Sequence, residues 1–348
     1  MQIKTAKAAI LAQSRAPLVI DEITLPEALG VGQVLVKVLY STICGAQLNE
    51  IAAAKGPDKF LPHLLGHEAS ARVLEIGLGV TTVKPGDTVV LHWRPSQGIQ
   101  CPPPAYTWNG KKLNAGWLTT FNDHAVISEN RMTVISPDYD LRNAPLLGCA
   151  VTTAAGVINN DAGVKIGESV VVFGVGGVGL NVVQFAQLAG AYPIVAVDLV
   201  DSKLEMARAR GATHWLNPST AGDMDAAIRK IVGDKGPDKV IETTGAKQVI
   251  ELAYNLTHAD GTCVLVGVPS EKVTIYTLPI HFNKVLTGSH GGDAVPQVDI
   301  PRLIRLNQAG RLSFDGIITH EFPLDEINAA LDMVRGGTAG RVVLKIAA

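Results

Sequence analysis

The stretch "SVVVFGVGGVGLNVVQFAQLAG", residues 169–190, decides the fold of the second half of this sequence. Its continuous apolar run is typical of a strand buried on both faces, and its glycine-rich turn leads directly into a helix. The turn carries the G-x-G-x-x-G pattern at Gly174, Gly176 and Gly179. Asp198 ends the next apolar run, 24 residues after Gly174. Together these features predict a dinucleotide-binding unit.

Each residue of this pattern has a physical role. The first glycine makes the tight turn, the second lets the backbone approach a pyrophosphate, and the third lets helix and strand pack closely. The N–H groups at the helix N-terminus, around Gly177, are then available to the phosphates. Asp198 is expected to accept hydrogen bonds from the adenosine ribose and to repel a 2′-phosphate, so the sequence predicts NAD rather than NADP. Lys203 is near enough in sequence to reach the same ribose.

One alternative for this stretch stays open, and another does not. A glycine-rich structural turn followed by an unrelated aspartate would give the same letters. A mononucleotide P-loop is excluded because no G-K-[ST] follows the glycines.

The rest of the second half alternates regularly between strands and helices. Apolar runs such as "YPIVAVD", "KVIETTG" and "TCVLVGV" are separated by helical patterns such as "SKLEMARARG", "DMDAAIRKIVG" and "AKQVIELAYNL". Regular β–α alternation is typical of a parallel, doubly wound sheet. We therefore predict a Rossmann NAD-binding domain over residues 151–288.

The first half has a different texture. The runs "QVLVKVLYSTIC", "EASARVLEIG" and "DTVVLHW" are rich in β-branched residues and are separated by turns, and no long helical pattern appears before about residue 143. This pattern favours an antiparallel barrel or sandwich. After about residue 287 come two helical stretches and a last strand, and a short tail of this kind often returns to the first domain. The predicted first domain therefore comprises residues 1–150 and 289–348.

Composition narrows the functional classes. The chain has 348 residues and a formal net charge of −2, a balance that gives no support for a nucleic-acid partner. The most apolar segment, residues 169–191, contains five glycines and is read as a buried strand and helix, so no membrane association is predicted. The N-terminus lacks the pattern of a signal peptide, and four cysteines are too few for a disulfide scaffold. We expect a cytoplasmic protein.

Three residues from separate segments have the chemistry of a metal site. Cys44 ends the first long strand, His67 lies just before Glu68 in "LLGHEASARV", and Cys149 lies in "LLGCAVTTAAGV". Two thiolates and one imidazole suit Zn²⁺ and leave a fourth position for water or substrate. Taken singly, each residue has a plainer interpretation, because a buried cysteine is usually a small core residue and a lone histidine is usually a hydrogen-bonded core side chain.

The order of motifs resembles a known family, the zinc-dependent medium-chain alcohol and polyol dehydrogenases. The resemblance covers nearly the whole chain. Its motifs are Cys44, "GHE" at 66–68, "VKPGD" at 83–87, "GCAVTT" at 148–153, "GVGGVG" at 174–179 with Asp198, "VLVGVP" at 264–269 and "AGRVVLKI" at 339–346. The resemblance implies a GroES-like, β-rich catalytic domain around an inserted Rossmann domain.

The resemblance also implies roles for individual residues. Cys44, His67 and Cys149 would hold the catalytic zinc, with Glu68 behind it or acting as an exchangeable fourth ligand. Further residues would contact the cofactor: Thr153 and Val178 against the nicotinamide ring, Val266 and Val268 in "VLVGVP", and Arg341 at the pyrophosphate.

Two family features are missing. The loop at 94–117 holds only Cys101 where the family commonly has four cysteines for a structural zinc, so we predict one metal per chain. Ala46 replaces the usual serine or threonine that accepts the substrate proton, and Gln47 replaces the usual aspartate that orients the zinc-bound histidine. Three explanations compete for Ala46: another group carries the proton, the substrate supplies its own acid group, or the site performs a different reaction. The candidates for another group are His92, His124 and Glu68.

The sequence therefore predicts a zinc- and NAD-dependent dehydrogenase that interconverts a hydroxyl and a carbonyl by hydride transfer. Trp93, Arg94, Lys111 and Lys112 suggest a polar, sugar-like substrate, including phosphorylated and nucleotide-linked sugars, unless the three cations are only solvated loop charges. Two alternatives remain: a lyase or epimerase that retains its NAD, and a non-catalytic NAD-binding protein with a relict metal site. By analogy with relatives, we expect a homodimer or homotetramer.

Overall fold

The computed structural model describes residues 1–54 and 56–347, so Lys55 and Ala348, the end of the predicted first domain, lie outside the described residues. The chain divides into two compact units, residues 1–149 with 295–348 and residues 150–294. No helix in the described part of the chain is both long enough and apolar enough to cross a membrane.

The first unit begins as a succession of mostly antiparallel strands interrupted by one short helix. The strands are β1 (Thr5–Leu11), β2 (Val19–Thr24), β3 (Gln33–Ile43), β4 (His63–Leu64), β5 (Glu68–Ile76), β6 (Thr88–His92), β7 (Tyr106–Trp108), β8 (Lys111–Leu113), β9 (His124–Ser128) and β10 (Met132–Ile135). The helix is α1 (Gly45–Ile51), which follows β3 with only Cys44 between them. The sequence pattern did not predict α1.

The second unit alternates strands and helices. In chain order they are α2 (Ala150–Gly156), β11 (Val170–Phe173), α3 (Gly179–Leu188), β12 (Ile194–Val197), α4 (Asp201–Arg208), β13 (His214–Leu216), α5 (Pro218–Ala221), α6 (Met224–Val232), β14 (Lys239–Glu242), α7 (Lys247–Leu256), β15 (Thr262–Leu265) and β16 (Val285–Gly288). A single π-helical turn, Val157–Asp161, follows α2.

The chain then returns to the first unit. The returning elements are α8 (Pro296–Gln308), β17 (Ile318–Pro323), α9 (Ile327–Arg335) and β18 (Arg341–Lys345). Strand β18 pairs antiparallel with β3, with Val342 opposite Ile43, and parallel with β17. The C-terminal strand therefore lies beside the strand that leads to Cys44.

Two sheets build the first unit. One has the order β4-β1-β2-β7-β8, and the other has the order β10-β6-β5-β3-β18-β17 with β9 also paired to β3. Alternating residues of β3 serve different cores: Val34, Val36 and Val38 pack with β5, β6 and β9, whereas Leu35 packs with residues of the first sheet. This alternation is what the period-2 geometry of a strand requires when both faces are buried.

The sheet of the second unit is parallel, with the order β13-β12-β11-β14-β15-β16. Strand β11 lies in its interior, which explains why all four of its residues are apolar and buried. The chain moves outward from β11 to β13 on one side and then from β14 to β16 on the other. The carboxyl ends of β11 and β14 thus form the switch point at which such sheets bind nucleotides. The predicted fold class, a GroES-like β-rich domain with an inserted Rossmann sheet, is confirmed.

Candidate active site and cofactor site

Cys44, His67 and Cys149 lie together in the first unit. One ligand atom from each residue lies within 4.8 Å of those of the other two. Cys44 precedes the first turn of α1, His67 immediately precedes β5, and Cys149 follows a 3₁₀ turn over Ala144–Gly148. The fold therefore brings together the three segments that the sequence singled out.

A glycine directly precedes both His67 and Cys149, and each allows its segment to pack closely against neighbouring residues. At Gly66, before His67, φ is 93° and a Cβ atom would lie 2.2 Å from Thr120 Oγ1. At Gly148, before Cys149, a Cβ atom would lie 2.3 Å from the carbonyl oxygen of Leu91 on β6. A side chain at either position would push the ligand-bearing segment away from the sheet.

The two thiols influence each other strongly. The hydrogen bond with Cys149 lowers the pKa of Cys44 well below that of a free thiol, and the neighbouring His67 ring adds to this effect despite burial. The same hydrogen bond, with burial, raises the pKa of Cys149. Burial alone would lower the pKa of His67, but the Cys44 thiolate outweighs it and the pKa is raised. The cluster thus stabilises negative charge on one of its two sulfurs, that of Cys44, and thiolate is the form of cysteine that binds metals.

The His67 ring fits a metal ligand. Its Nε2 atom is buried and has no hydrogen-bond partner, whereas its Nδ1 atom lies 2.5 Å from Nε2 of Gln47. A buried ring nitrogen without a partner is costly unless something else binds it. Two cysteine sulfurs beside such a nitrogen match the donor set of a three-ligand zinc site.

Glu68 lies behind these residues and is paired with Arg341. Its Oε1 atom accepts a hydrogen bond of 2.6 Å from Arg341, which also donates to the carbonyl oxygen of Ile43 at 3.2 Å. Its Oε2 atom is buried without a hydrogen-bond partner, and Glu68 is not among the residues grouped as possible metal ligands in the described part of the chain. Of the two predicted positions, the geometry favours the one behind the metal.

Arg341 is held by contacts within the first unit. Its side chain is only 5 % exposed and is bound within the first unit, to Glu68 and Ile43. Contact with the cofactor pyrophosphate remains a prediction for this residue, whereas its ion pair with Glu68 is observed.

The two histidines predicted to carry the proton, His92 and His124, lie in unsuitable surroundings. His92 is 1 % exposed, its Nδ1 lies 2.8 Å from the carbonyl oxygen of Arg94, and its Nε2 lies 3.0 Å from Thr133 Oγ1. Burial lowers the pKa of His92 to about 4, so the ring is neutral and both nitrogens are occupied. We therefore withdraw His92 as a catalytic residue.

His124 is too far along the sheet for the same role. It pairs with Lys37 on β3, seven residues before Cys44. At about 3.3 Å per residue, this places it roughly 20 Å from the cluster.

The loop that lacks the four cysteines is held by other contacts. Glu129 Oε1 accepts from the backbone N–H groups of Thr81 and Thr82 at 2.7 and 2.9 Å, and its Oε2 accepts from that of Ile99 at 2.7 Å. Arg131 donates to Gln100 Oε1 at 2.9 Å. Sequence reasoning missed Glu129, because a single glutamate after a strand carries no motif.

Cys101 takes part in the same loop through its backbone. Its N–H donates to Ser128 Oγ at 3.0 Å, and its side chain is buried. This environment is that of a small core residue.

The glycine-rich turn lies after β11 in the second unit. A Cβ atom at Gly179 would lie 1.9 Å from the carbonyl oxygen of Gly174, so close packing of the protein explains the third glycine. A Cβ atom at Gly176 would meet nothing within 4 Å, so protein packing does not explain the second glycine. Open space at Gly176 is what a backbone approached by a bound pyrophosphate requires.

Asp198 and Thr243 hold this turn in shape. Asp198 Oδ2 accepts from the Val175 N–H at 2.8 Å and Oδ1 accepts from the Val200 N–H at 3.0 Å. Thr243 Oγ1 lies 3.0 Å from the carbonyl oxygen of Phe173 and 2.8 Å from that of Gly174. Sequence reasoning missed Thr243, although its place directly after β14, the strand beside β11, was a usable signal.

The remaining predicted cofactor residues occupy several parts of the second unit. Thr153 is buried on α2, Lys203 is half-buried on α4, and Val178 precedes α3. Val266 follows β15 and donates its N–H to the carbonyl oxygen of Glu242 at 2.7 Å, while Val268 is 60 % exposed. Gly177 lies between Gly176 and Val178 and is half-buried.

Two family models match the chain. Residues 30–138 match the alcohol dehydrogenase GroES-like domain, and residues 177–309 match the zinc-binding dehydrogenase domain.

Individual proteins match over nearly their full length. Alcohol dehydrogenase 1 of Pisum sativum is 31 % identical, with 99 % of this chain and 98 % of that protein covered. S-(hydroxymethyl)glutathione dehydrogenase of Escherichia coli is 32 % identical, with 90 % and 92 % covered. The crystal structure of benzyl alcohol dehydrogenase from Acinetobacter calcoaceticus is similar with a TM-score of 0.89 at 29 % identity, covering 99 % of this chain and 100 % of that one. The chain therefore belongs to the zinc-dependent medium-chain alcohol dehydrogenase family of oxidoreductases.

Proposed function

We propose that this protein is a zinc- and NAD-dependent dehydrogenase that interconverts a hydroxyl and a carbonyl on a polar small molecule. The observation that carries the proposal is the cluster of Cys44, His67 and Cys149, whose ligand atoms lie within 4.8 Å of one another. A relict site would have no reason to keep two thiols and an unpartnered imidazole nitrogen at this spacing.

In the proposed site, Cys44, His67 and Cys149 hold one zinc ion. Bound zinc supplies the Lewis acidity that lowers the pKa of a hydroxyl, and bound NAD supplies the hydride acceptor. Glu68 places a carboxylate behind the ligands, and Arg341 neutralises it. The three protein ligands leave one coordination position for the substrate oxygen.

The proton of the hydroxyl is proposed to leave directly to solvent. Ala46 is exposed and has no polar side-chain atom, and His92, with both nitrogens occupied, offers no acceptor. Glu68 is buried and already paired with Arg341. His92 and Glu68, the two predicted proton acceptors that lie near the proposed ligands, therefore already have other partners.

For the cofactor, we propose that the turn at Gly174, Gly176 and Gly179 binds the pyrophosphate of NAD and that Asp198 accepts from the adenosine ribose. A carboxylate offers about four lone-pair positions, so the two backbone N–H groups that Asp198 already accepts leave room for ribose hydroxyls. Its negative charge disfavours the 2′-phosphate of NADP. Lys203, with the nicotinamide-side residues Thr153, Val178, Val266 and Val268, completes the proposed set.

One metal per chain is proposed, with no structural zinc. The contacts from Glu129 and Arg131 to the loop support this, because Glu129 binds the backbone N–H of Ile99 and Arg131 binds the side chain of Gln100 in a loop that a second metal would otherwise have to hold. Cys101 is the one cysteine of that loop, and a single thiol cannot build a tetrahedral structural site.

The proposed polar substrate is supported by residues beside His67. His92 pairs with Glu68 at the end of the β5–β6 ladder, and Trp93 and His67 are the residues directly beyond this pair on their two segments. The Arg94 guanidinium lies 5.9 Å from the centre of the Trp93 ring and adds positive charge beside this aromatic side chain. Lys111 and Lys112 lie on β8, in the other sheet of the unit, and are left out of the proposed pocket.

The proposed oligomer is a homodimer formed through the edge of the second unit. Strand β16 ends the parallel sheet, and the chain before it exposes large apolar side chains. Tyr276 is 68 % exposed and Phe282 is 66 % exposed, with Leu278 and Ile280 between them. An apolar surface beside an unpaired strand edge is typical of an interface.

Zinc analysis together with a substrate panel tests the proposed function. Protein purified without chelators should contain about one zinc per chain, and a panel of aliphatic alcohols, benzyl alcohol, polyols, sugar phosphates and S-(hydroxymethyl)glutathione should be read by NADH absorbance. Net NADH with a polar hydroxyl compound supports the proposal. Zinc well below one per chain, or product isomerised without NADH release, would overturn it.

A further inference from the structure

The Gln47 side chain connects two of the three ligand-bearing segments. Gln47 is buried on α1, and its Oε1 accepts a hydrogen bond of 2.8 Å from the backbone N–H of Cys44. Its Nε2 lies 2.5 Å from Nδ1 of His67. One amide thus contacts both the loop that holds the first thiol and the ring that holds the imidazole.

This amide has one hydrogen-bond acceptor for two donors. A backbone N–H only donates, so the Cys44 N–H needs the amide oxygen. A histidine that binds a metal through Nε2 carries its hydrogen on Nδ1 and donates it to a carboxylate, carbonyl or water. At His67 that hydrogen would face the NH₂ group of Gln47, which is also a donor. Turning the amide over satisfies His67 but leaves the Cys44 N–H without its acceptor.

We propose that Gln47 is a positioning residue that keeps the zinc of this site exchangeable, because metal binding leaves one of these two donors without an acceptor. The inference rests on the proposed zinc site. A carboxylate at position 47 would accept from Cys44 and His67 at the same time, since each of its oxygens is an acceptor. The glutamine is therefore expected to make zinc exchange faster here than in a site with a carboxylate at position 47.

The test uses Gln47→Glu, which keeps the length of the side chain and replaces its NH₂ group by an acceptor. Zinc-loaded wild type and variant are mixed with an excess of a colour-forming chelator at a single pH, and the rate of zinc release is followed. We expect release from Gln47→Glu to be about 10- to 100-fold slower, because replacing a residue that hydrogen-bonds a metal ligand usually changes metal affinity by about that factor.

Asn49→Asp is the matched control for charge. Asn49 is exposed on the same helix, so this change adds one negative charge without touching His67. We expect its release rate to stay within about threefold of the wild type, as for an exposed, solvent-screened charge. The inference fails if Gln47→Glu releases zinc as fast as wild type, or if Asn49→Asp slows release equally.

The outcome for the wild type separates this inference from the proposed function. If the loaded wild type retains zinc and its release is insensitive to residue 47, only the role of Gln47 is wrong. If the wild type takes up no zinc, the proposed function and this inference fail together.

Discussion

Arg341 donates a hydrogen bond of 2.6 Å to Glu68 although 273 residues separate the two in the chain. Their side chains are 5 % and 0 % exposed. Burial raises the pKa of Glu68, and the charge of Arg341 opposes that effect. The pair therefore places a compensated carboxylate beside His67, one of the proposed metal ligands.

Removing the arginine should destabilise the first unit. Arg341→Met leaves the Glu68 carboxylate buried without its partner, and breaking one side of a buried ion pair costs about 3–5 kcal/mol. Denaturant unfolding followed by circular dichroism measures this loss. The double variant Arg341→Met with Glu68→Gln should recover a large part of it, and a double variant as unstable as Arg341→Met alone would contradict the ion-pair explanation.

Replacing a ligand should remove zinc without unfolding the chain. Cys44→Ser and His67→Ala should each lose bound zinc and dehydrogenase activity, because two protein ligands hold zinc poorly. Metal analysis and far-ultraviolet circular dichroism are the measurements. Cys101→Ser is the control, since Cys101 packs in the loop and should leave the zinc content unchanged. A ligand variant that keeps full activity would end the proposal.

The charge of Asp198 should set the choice between NAD and NADP. Asp198→Asn keeps a side-chain acceptor but removes the repulsion of a 2′-phosphate. The ratio of kcat/KM for NAD to that for NADP should fall at least about tenfold, equivalent to about 1.4 kcal/mol. Asp201→Asn removes an exposed charge three residues later on α4 and should leave the ratio unchanged. An unaltered ratio in Asp198→Asn would place the acid away from the ribose.

Glu129 should make the stability of the first unit depend on pH. Burial alone would raise its pKa, but the N–H groups of Ile99, Thr81 and Thr82 outweigh this and the pKa is lowered. A carboxyl group whose pKa is lower in the folded state stabilises the fold above its unfolded pKa of about 4.5 and loses that contribution as the pH falls through the folded value.

The comparison with Glu129→Gln isolates this contribution from those of other carboxylates. At neutral pH the variant should be about 1–3 kcal/mol less stable, because its NH₂ group faces the donor N–H of Ile99. The difference should shrink steadily below about pH 4.5. Unfolding measured for both proteins from pH 7 to pH 3 checks this, and a constant difference would mean that Glu129 has the same pKa in the folded and unfolded protein.

A hydroxyl at position 46 should speed alcohol oxidation. Ala46→Ser supplies the proton acceptor that the exposed alanine lacks, and turnover should rise on the order of tenfold, at the low end of general acid–base effects. Ala46→Thr and Ala46→Val form a matched pair with the same shape, so only the threonine variant should show the gain. Equal rates in the pair would indicate that proton removal does not limit the reaction.

The second unit was predictable in detail because its signals are local. Gly174, Gly176, Gly179 and Asp198 lie within 25 residues, and parallel strands buried on both faces read as continuous apolar runs. The clustering of Cys44, His67 and Cys149 was predictable by residue type and by the resemblance of the motifs around them, and their role as zinc ligands stays a prediction.

What the sequence did not show depends on contacts between distant segments. Burial lowers the pKa of His92 and keeps its ring neutral, and no pattern around residue 92 reveals Thr133, on the neighbouring strand β10, as its partner. The hydrogen bonds that Glu129 accepts come from Ile99 and Thr81, which lie 30 and 48 residues earlier in the chain. Gln47 was visible as an unusual residue, but its conflict between two donors depends on where the fold places the Cys44 N–H and the His67 ring.

The pairing of β18 with β3 has a consequence for how the protein matures on the ribosome. Cys44, His67 and Cys149 are all synthesised before Arg341, so Glu68 has no ion-pair partner until strand β18 has been made and has paired with β3. A nascent chain that binds zinc before β18 docks would do so while the Glu68 carboxylate still lacks its partner Arg341. The docking of β18 thus completes the surroundings of a site whose proposed ligands all precede it in the chain.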